Sequence, residues 1–117
     1  MDTSMKFQSG QIVSLDDTHR TLYAEVIEVV ISRQLCWVRP WLLVDYSQEE
    51  PLITDVRDVS DILWPLHLFR AALDTEVITL LSHILPKEFK GEPDVVAQRE
   101  FNLFIHQIWH SYQHGQR

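Results

Sequence analysis

Apolar residues recur along this chain in two rhythms, and the change comes at Pro65. Before it they alternate every second position, the mark of strands. After it they return every third or fourth, the mark of helices. Gly10–Leu15 (GQIVSL) reads as a short strand with Ile12 set against Val13 and Leu15, and the polar cluster Asp16, Asp17, Thr18 and His19 suits a turn.

The run from Arg20 to Val44 is the densest in β-branched and aromatic residues. In its first half Leu22, Ala24 and Val26 share one face while Tyr23 and Glu25 share the other. After Val26 the phase inverts: Ile27, Val29 and Ile31 want the interior and Glu28 the water. A flat strand of period two cannot do this, but a β-bulge or sharp coil near Val26–Ile27 can, and it lets one long strand serve two sheets of a closed barrel. A helical stripe through Leu22, Val26, Val29 and Val30 is the competing reading. β-Branched crowding and the short link Ser32–Gln34 favour the strand. The partner run Leu35–Val44 puts Cys36, Val38, Leu42 and Val44 on one face and Leu35, Trp37, Arg39, Trp41 and Leu43 on the other. Both faces are apolar, so something must cover the second. Pro40 cannot donate to a ladder and belongs at an edge or a bulge.

Asp45–Glu50 reads as a turn ending at Pro51, Leu52–Val56 as a fourth strand and Asp61–Trp64 as a fifth. The connector LHLFRAAL has no clear form. Asp74 or Thr75 can cap a helix through Leu85, with Val77, Ile78, Leu81, Ile84 and Leu85 on one stripe, stopped by Pro86. Pro86–Pro93 is a loop. Pro93 then suits the first position of a long helix and Asp94 its first turn. Running to about His114, that helix carries a stripe of Ala97, Phe101, Phe104, Ile105, Ile108, Trp109 and Tyr112, the obvious cover for the Leu35, Trp37, Trp41 and Leu43 face. The predicted fold is α+β: one domain over 1–117, with an SH3-like β-barrel of about five antiparallel strands over 10–65. Two helices follow over 66–117, the second packed on the barrel.

The 117 residues are ordinary globular material, 45% hydrophobic and 23% charged with three Gly and five Pro, enough to bury a core without metal or disulfide staples. The lone Cys36 cannot form an internal disulfide. The N-terminus has no apolar core of a signal peptide, and the apolar runs fall short of the ~20 residues of a spanning helix, so a reducing, cytoplasmic setting is expected. The net charge of −7, with ten basic residues scattered singly, argues against nucleic acid. Acidic residues do cluster, in Asp45, Glu49, Glu50, Asp55, Asp58 and Asp61 against Arg57; this is a solvated loop or a docking face for a basic protein.

Signatures of known chemistry are missing from the sequence: the dinucleotide-binding glycine pattern, the P-loop, HExxH and GxSxG. Cys36 lies mid-strand on the inward set and reads as a buried thiol, not a nucleophile. Asp16–Asp17 reads as a turn in preference to a metal site. His106, His110 and His114 share a helix face at i, i+4 and i+8, yet no Cys or carboxylate on that face completes a site. His19, His67 and His83 stand alone. No enzyme, metal or cofactor is expected.

Binding remains. Four Trp, five Phe and three Tyr exceed what a small core easily encloses, and Trp, Tyr and Arg anchor interfaces. The candidate patch is Trp37, Arg39, Trp41 and Trp64 with Arg70. The spacing Trp37-x-Arg39-x-Trp41 permits a guanidinium between two indoles, or two Trp under a helix with Arg39 at the rim. The expected function is a non-enzymatic protein-interaction or adaptor module that binds a protein partner or homo-oligomerises. The alternative is a small-ligand pocket between barrel and helices, using Arg39 or Arg70 with a Trp wall.

Five segments, F-x-x-G-Q-I-V-S-L from Phe7, L-Y-A-E-V-I from Leu22, W-V-R-P from Trp37, D-I-L-W-P-L from Asp61 and L-F-R-A-A-L-D-T-E-V from Leu68, span nearly the whole chain. In them it resembles a family of small conserved cyanobacterial proteins of unknown function. The resemblance implies a cytoplasmic or thylakoid-facing setting and supplies no catalytic residues.

Overall fold

Two long strands carry the molecule. In the structure, a computed structural model that describes residues 7–84 and 94–115, β2 (Arg20–Val30) and β3 (Leu35–Asp45) pair antiparallel from end to end. Between them stand a 3₁₀ turn, Ile31–Arg33, and Gln34 in the left-handed region at φ 56°. β1 (Ile12–Asp17) folds back on β2 through the turn Thr18–His19, and the two-residue β6 (Arg70–Ala71) joins β1. On the far edge of β3, β4 (Leu52–Asp55) pairs with its second half and β5 (Ile62–Pro65) with its first. The order is β4–β3–β2–β1–β6, with β5 beside β3. Two helices follow, α1 (Asp74–Ile84) and α2 (Val95–Gly115). The architecture is α+β. Expectations for residues 1–6 and 85–93, and for the side chains of His83, Ile84 and His114, lie outside the described residues.

The phase slip is a bulge. Val26 pairs with Val38 and Glu28 with Trp37, leaving Ile27 as the extra residue. A second shift lies on the other strand: Tyr23 pairs with Leu42 and Ala24 with Pro40, so Trp41 is extra there. Pro40, with no N–H to give, sits beside that irregularity in an interior strand and is fully buried. The Trp41 bulge also moves side chains between faces. Cys36 and Val38 before it and Leu43 after it share one core, while Trp41, Leu42 and Val44 belong to the other.

The sheet is open, which corrects the expected SH3-like barrel. Among the described residues no ladder joins β6 to β4 or β5. β4 and β5 share one edge of β3, and β6 has only two residues, too short a set to carry the stagger that closure requires. Helices take over the burial instead, one on each face.

On one face Ala97, Phe101, Phe104 and Ile108 of α2, spaced three and four apart, bury against Val13, Leu15, Leu22, Val26, Cys36 and Val38. Asp94 precedes this helix as its N-cap, not as a first-turn residue: its carboxylate accepts from the Val96 and Ala97 N–H groups at 3.0 and 3.2 Å. Arg20 holds the middle of α2. Its guanidinium lies 5.5 Å from the Phe104 ring centre, 3.7 Å from Glu100, and donates to Gln107. On the opposite face Leu80 and Leu81 of α1 meet Tyr23, Trp41, Leu42 and Val44.

The long helix therefore covers the Cys36–Val38 face and not the Trp37–Trp41 face that the alternation assigned to it. Trp37 is 37% exposed, Trp41 lies under α1, and Trp109 is 38% exposed, while Phe101 is buried as expected. Of the four residues placed together by the period of two, the Trp41 bulge carries Leu43 over to the α2 core, while Trp41 stays on the opposite face.

Candidate functional site

The five residues expected to form one patch occupy four places. Trp37 and Arg39 remain neighbours on exposed β3, joined through Asp61: the indole Nε1 donates to Oδ2 at 2.9 Å and Arg39 Nε to Oδ1 at 3.2 Å. Burial raises the Asp61 carboxyl, but bonds from Arg39 and Trp37 outweigh it and leave it below the ordinary range. Trp64 lies on β5 toward α2, its ring 5.4 Å from that of Trp109, with Tyr112 and His67 continuing the aromatic row. Trp41 is half-buried beneath α1. Arg70 is on β6, at the opposite edge of the sheet from β4 and β5.

Arg70 organises a different assembly. Its Nε donates to Asp16 Oδ2 at 2.7 Å, and Nη1 and Nη2 donate to the two oxygens of Glu76 at 3.1 and 3.2 Å. Glu76 also accepts the Leu73 N–H at 2.8 Å and the Tyr23 hydroxyl at 2.7 Å. With the Tyr23 proton committed to Glu76, the Tyr46 hydroxyl, 3.1 Å away, donates to the Tyr23 oxygen. Thr21 completes the chain by donating to Asp16 at 2.8 Å. The Arg70 guanidinium holds the Glu76 carboxyl down at about 2, and Glu76 with Asp16 raises Arg70. Burial, then the bonds to Tyr46 and Glu76, push the Tyr23 hydroxyl far above its usual range.

Two members of this chain of bonds, Tyr46 and Glu76, line a groove of about 640 Å³ between α1 and the β3–β4 end of the sheet. Val44, Ile53 and Leu80 form its apolar floor, Tyr46 and Pro51 one wall, and Thr75, Glu76 and Thr79 of α1 the other, with Glu50 at the rim. Beneath α1 itself the packing is nearly solid, with room for about 10 Å³ among Ile12, Tyr23 and Trp41. Ser14, opposite Tyr23 and Arg70 in the ladders, buries a hydroxyl that has no hydrogen-bond partner among the described residues.

Most of the acidic cluster is engaged locally. Asp55 takes both arms of Arg57 at 3.1 and 2.7 Å, Asp61 takes Arg39, Asp58 accepts the Asp94 N–H at 3.2 Å, and Asp45 turns on the Ser47 N–H at 2.9 Å. Glu49 and Glu50 stay exposed. Cys36 is buried, and burial pushes its thiol up to about 11, the opposite of an activated nucleophile. Among the described residues no three His, Cys, Asp or Glu stand close enough to hold a metal, and no helix is long and apolar enough to cross a membrane.

Sequence reasoning missed Tyr23, Tyr46 and Glu76, and placed Asp16 in a turn. Their partners lie up to 54 residues away, and no spacing rule links them. No protein family, curated protein or solved structure matches this chain.

Proposed function

We propose that this chain is a non-enzymatic protein-interaction module and that its binding site is the groove between α1 and the β3–β4 end of the sheet. The observation that carries the proposal is preorganisation. The groove is open, floored by Val44, Ile53 and Leu80, and its wall residues Glu76 and Tyr46 are fixed in advance by the Arg70–Glu76–Tyr23–Tyr46 bonds. A wall already ordered loses little freedom when a partner arrives, so more of the contact energy appears as affinity. Tyr46, 44% exposed at the mouth, is the type of side chain that anchors interfaces. A cytoplasmic setting, and kinship with the cyanobacterial proteins the sequence resembles, belong to the same proposal.

The test compares variants of the full chain in pull-downs from host extract. Tyr46→Ala and Thr79→Lys should lose a protein that the parent and Trp37→Ala both retain. Retention by the groove variants together with loss in Trp37→Ala would move the site to the Trp37–Arg39–Asp61 surface.

A second reading has its own support. At about 640 Å³ the groove is within the ~300–1,000 Å³ range of small-molecule sites and has Glu76 and Tyr46 along it. Thermal shift against a metabolite collection separates the two, since a small ligand raises the melting temperature without any protein present.

A further inference from the structure

We infer that the groove receives an extended, basic segment of another protein, which adds as a strand to the free edge of β4 and sets a Lys or Arg side chain against Glu50. The inference rests on the proposal that this groove is the interaction site.

Among the described residues β4 ends the sheet, paired only with β3. In an antiparallel strand the backbone groups of alternate residues point to opposite sides, so half of Leu52–Asp55 directs N–H and C=O away from β3. Folded proteins usually blunt such an edge with charge, proline or a cover. Here Pro51 limits one end and Asp55 the other, yet Leu52 between them is 68% exposed. That edge borders the groove: Ile53 belongs to its floor and Pro51 to one wall, with Thr75 and Thr79 of α1 on the opposite one. A cleft between a helix and an unpaired strand is the geometry of strand addition, where the ladder supplies affinity and alternate side chains enter the cleft. A helical partner has no free backbone groups to offer β4. An extended one does.

Charge selects among extended partners. Among the described residues the groove is lined by two carboxylates and no basic residue. Glu76 is engaged by Arg70, whereas Glu50 forms no ion pair among the described residues. A second copy of this chain, at net charge −7, would bring the same acidic rim edge to edge, and like charges repel. A basic segment removes that repulsion and satisfies Glu50.

The experiment selects from a display library of random peptides on the full chain, then titrates synthetic versions of the enriched sequences into isotope-labelled protein. The expected peptides alternate apolar residues and carry Lys or Arg. Amide shifts should fall on Leu52–Asp55 and the first turns of α1. N-methylation of alternate peptide residues should weaken binding about tenfold each, with little change between them, the loss of one ladder bond at a time. Glu50→Lys should weaken it by a similar factor, and Glu50→Gln by less. Shifts in the groove with a flat or helical N-methyl profile would overturn strand addition and leave the interaction site standing. Shifts on Trp37 or α2 would overturn both. A chain that enriches no peptide, and instead dimerises in sedimentation or takes only an apolar dye in the groove, would overturn the inference in favour of a second copy or a small molecule.

Discussion

The two faces of the sheet are built for different ends. Under α2 the contact is apolar: Phe101, Phe104 and Ile108 close over Val13, Leu22, Val26 and Val38, and Arg20 lies along the helix and holds it down. Under α1 the buried set is small, Tyr23, Leu42, Val44 and Leu80. Beside it a chain of ionic and hydroxyl bonds leads to an open groove. Hydrophobic burial scales with area, so the α2 face supplies most of the stability. The α1 face supplies fixed polar geometry. One sheet thus separates holding the fold from presenting a surface.

The largest effect should come from removing the buried Phe104 ring on the α2 face. Phe104→Ala is expected to cost about 3–5 kcal/mol in chemical denaturation, the usual loss for a buried aromatic. Leu80→Ala, beside the groove, should cost about 2 kcal/mol, because its site is already partly open. Equal losses would erase the difference between the faces. Trp109→Ala should also cost only about 2 kcal/mol, since 38% of that residue already meets water.

Acid should act on the α1 face first. Glu76 is held at about 2, below the ordinary value of 4.5, so its contribution is complete above 4.5 and is lost as pH falls from there toward 2. Allowing for solvent screening of the half-exposed Arg70, that contribution is about 1–2 kcal/mol. Glu76→Gln should remove it at pH 7 and flatten the acid limb of a stability–pH curve. An unchanged acid limb would show that the pair does not support the groove wall.

Smaller changes sharpen the contrast. Ser14→Ala replaces an unpartnered buried hydroxyl and should raise stability by about 1 kcal/mol in the same denaturation assay. Thr79→Lys, on the exposed side of α1, should stay within about 0.5 kcal/mol of the parent while abolishing partner binding.

Local patterns carried the sequence reading a long way. The inversion after Val26 located the Ile27 bulge, because a strand of period two changes faces only where a residue is added or the chain coils sharply. The stripe of α2 pointed to Phe101, Phe104 and Ile108 in the core. What failed was the assumption that Leu35–Val44 keeps one period throughout. Nothing local marks Trp41 as a bulge, since its position is set by the pairing of Tyr23 and Ala24, and with it Leu43 passed to the other face. β6 escaped notice because two residues make no pattern. The acidic run read as a solvated loop or a docking face, and neither reading foresaw that Asp55 and Asp61 are held by Arg57 and Arg39. The groove wall was invisible for a topological reason: Asp16, Tyr23 and Glu76 meet only after β6 has been laid beside β1.

Native-state hydrogen exchange, resolved residue by residue, tests the division between the faces most directly. Elements that serve binding come from the less stable part of a fold. The amides of α1 should therefore open at a free energy well below that of global unfolding, with those of α2 and the β2–β3 ladder close to the global value. If α1 exchanges only when the whole molecule unfolds, in step with α2, the two faces are equally structural and the division between them does not exist.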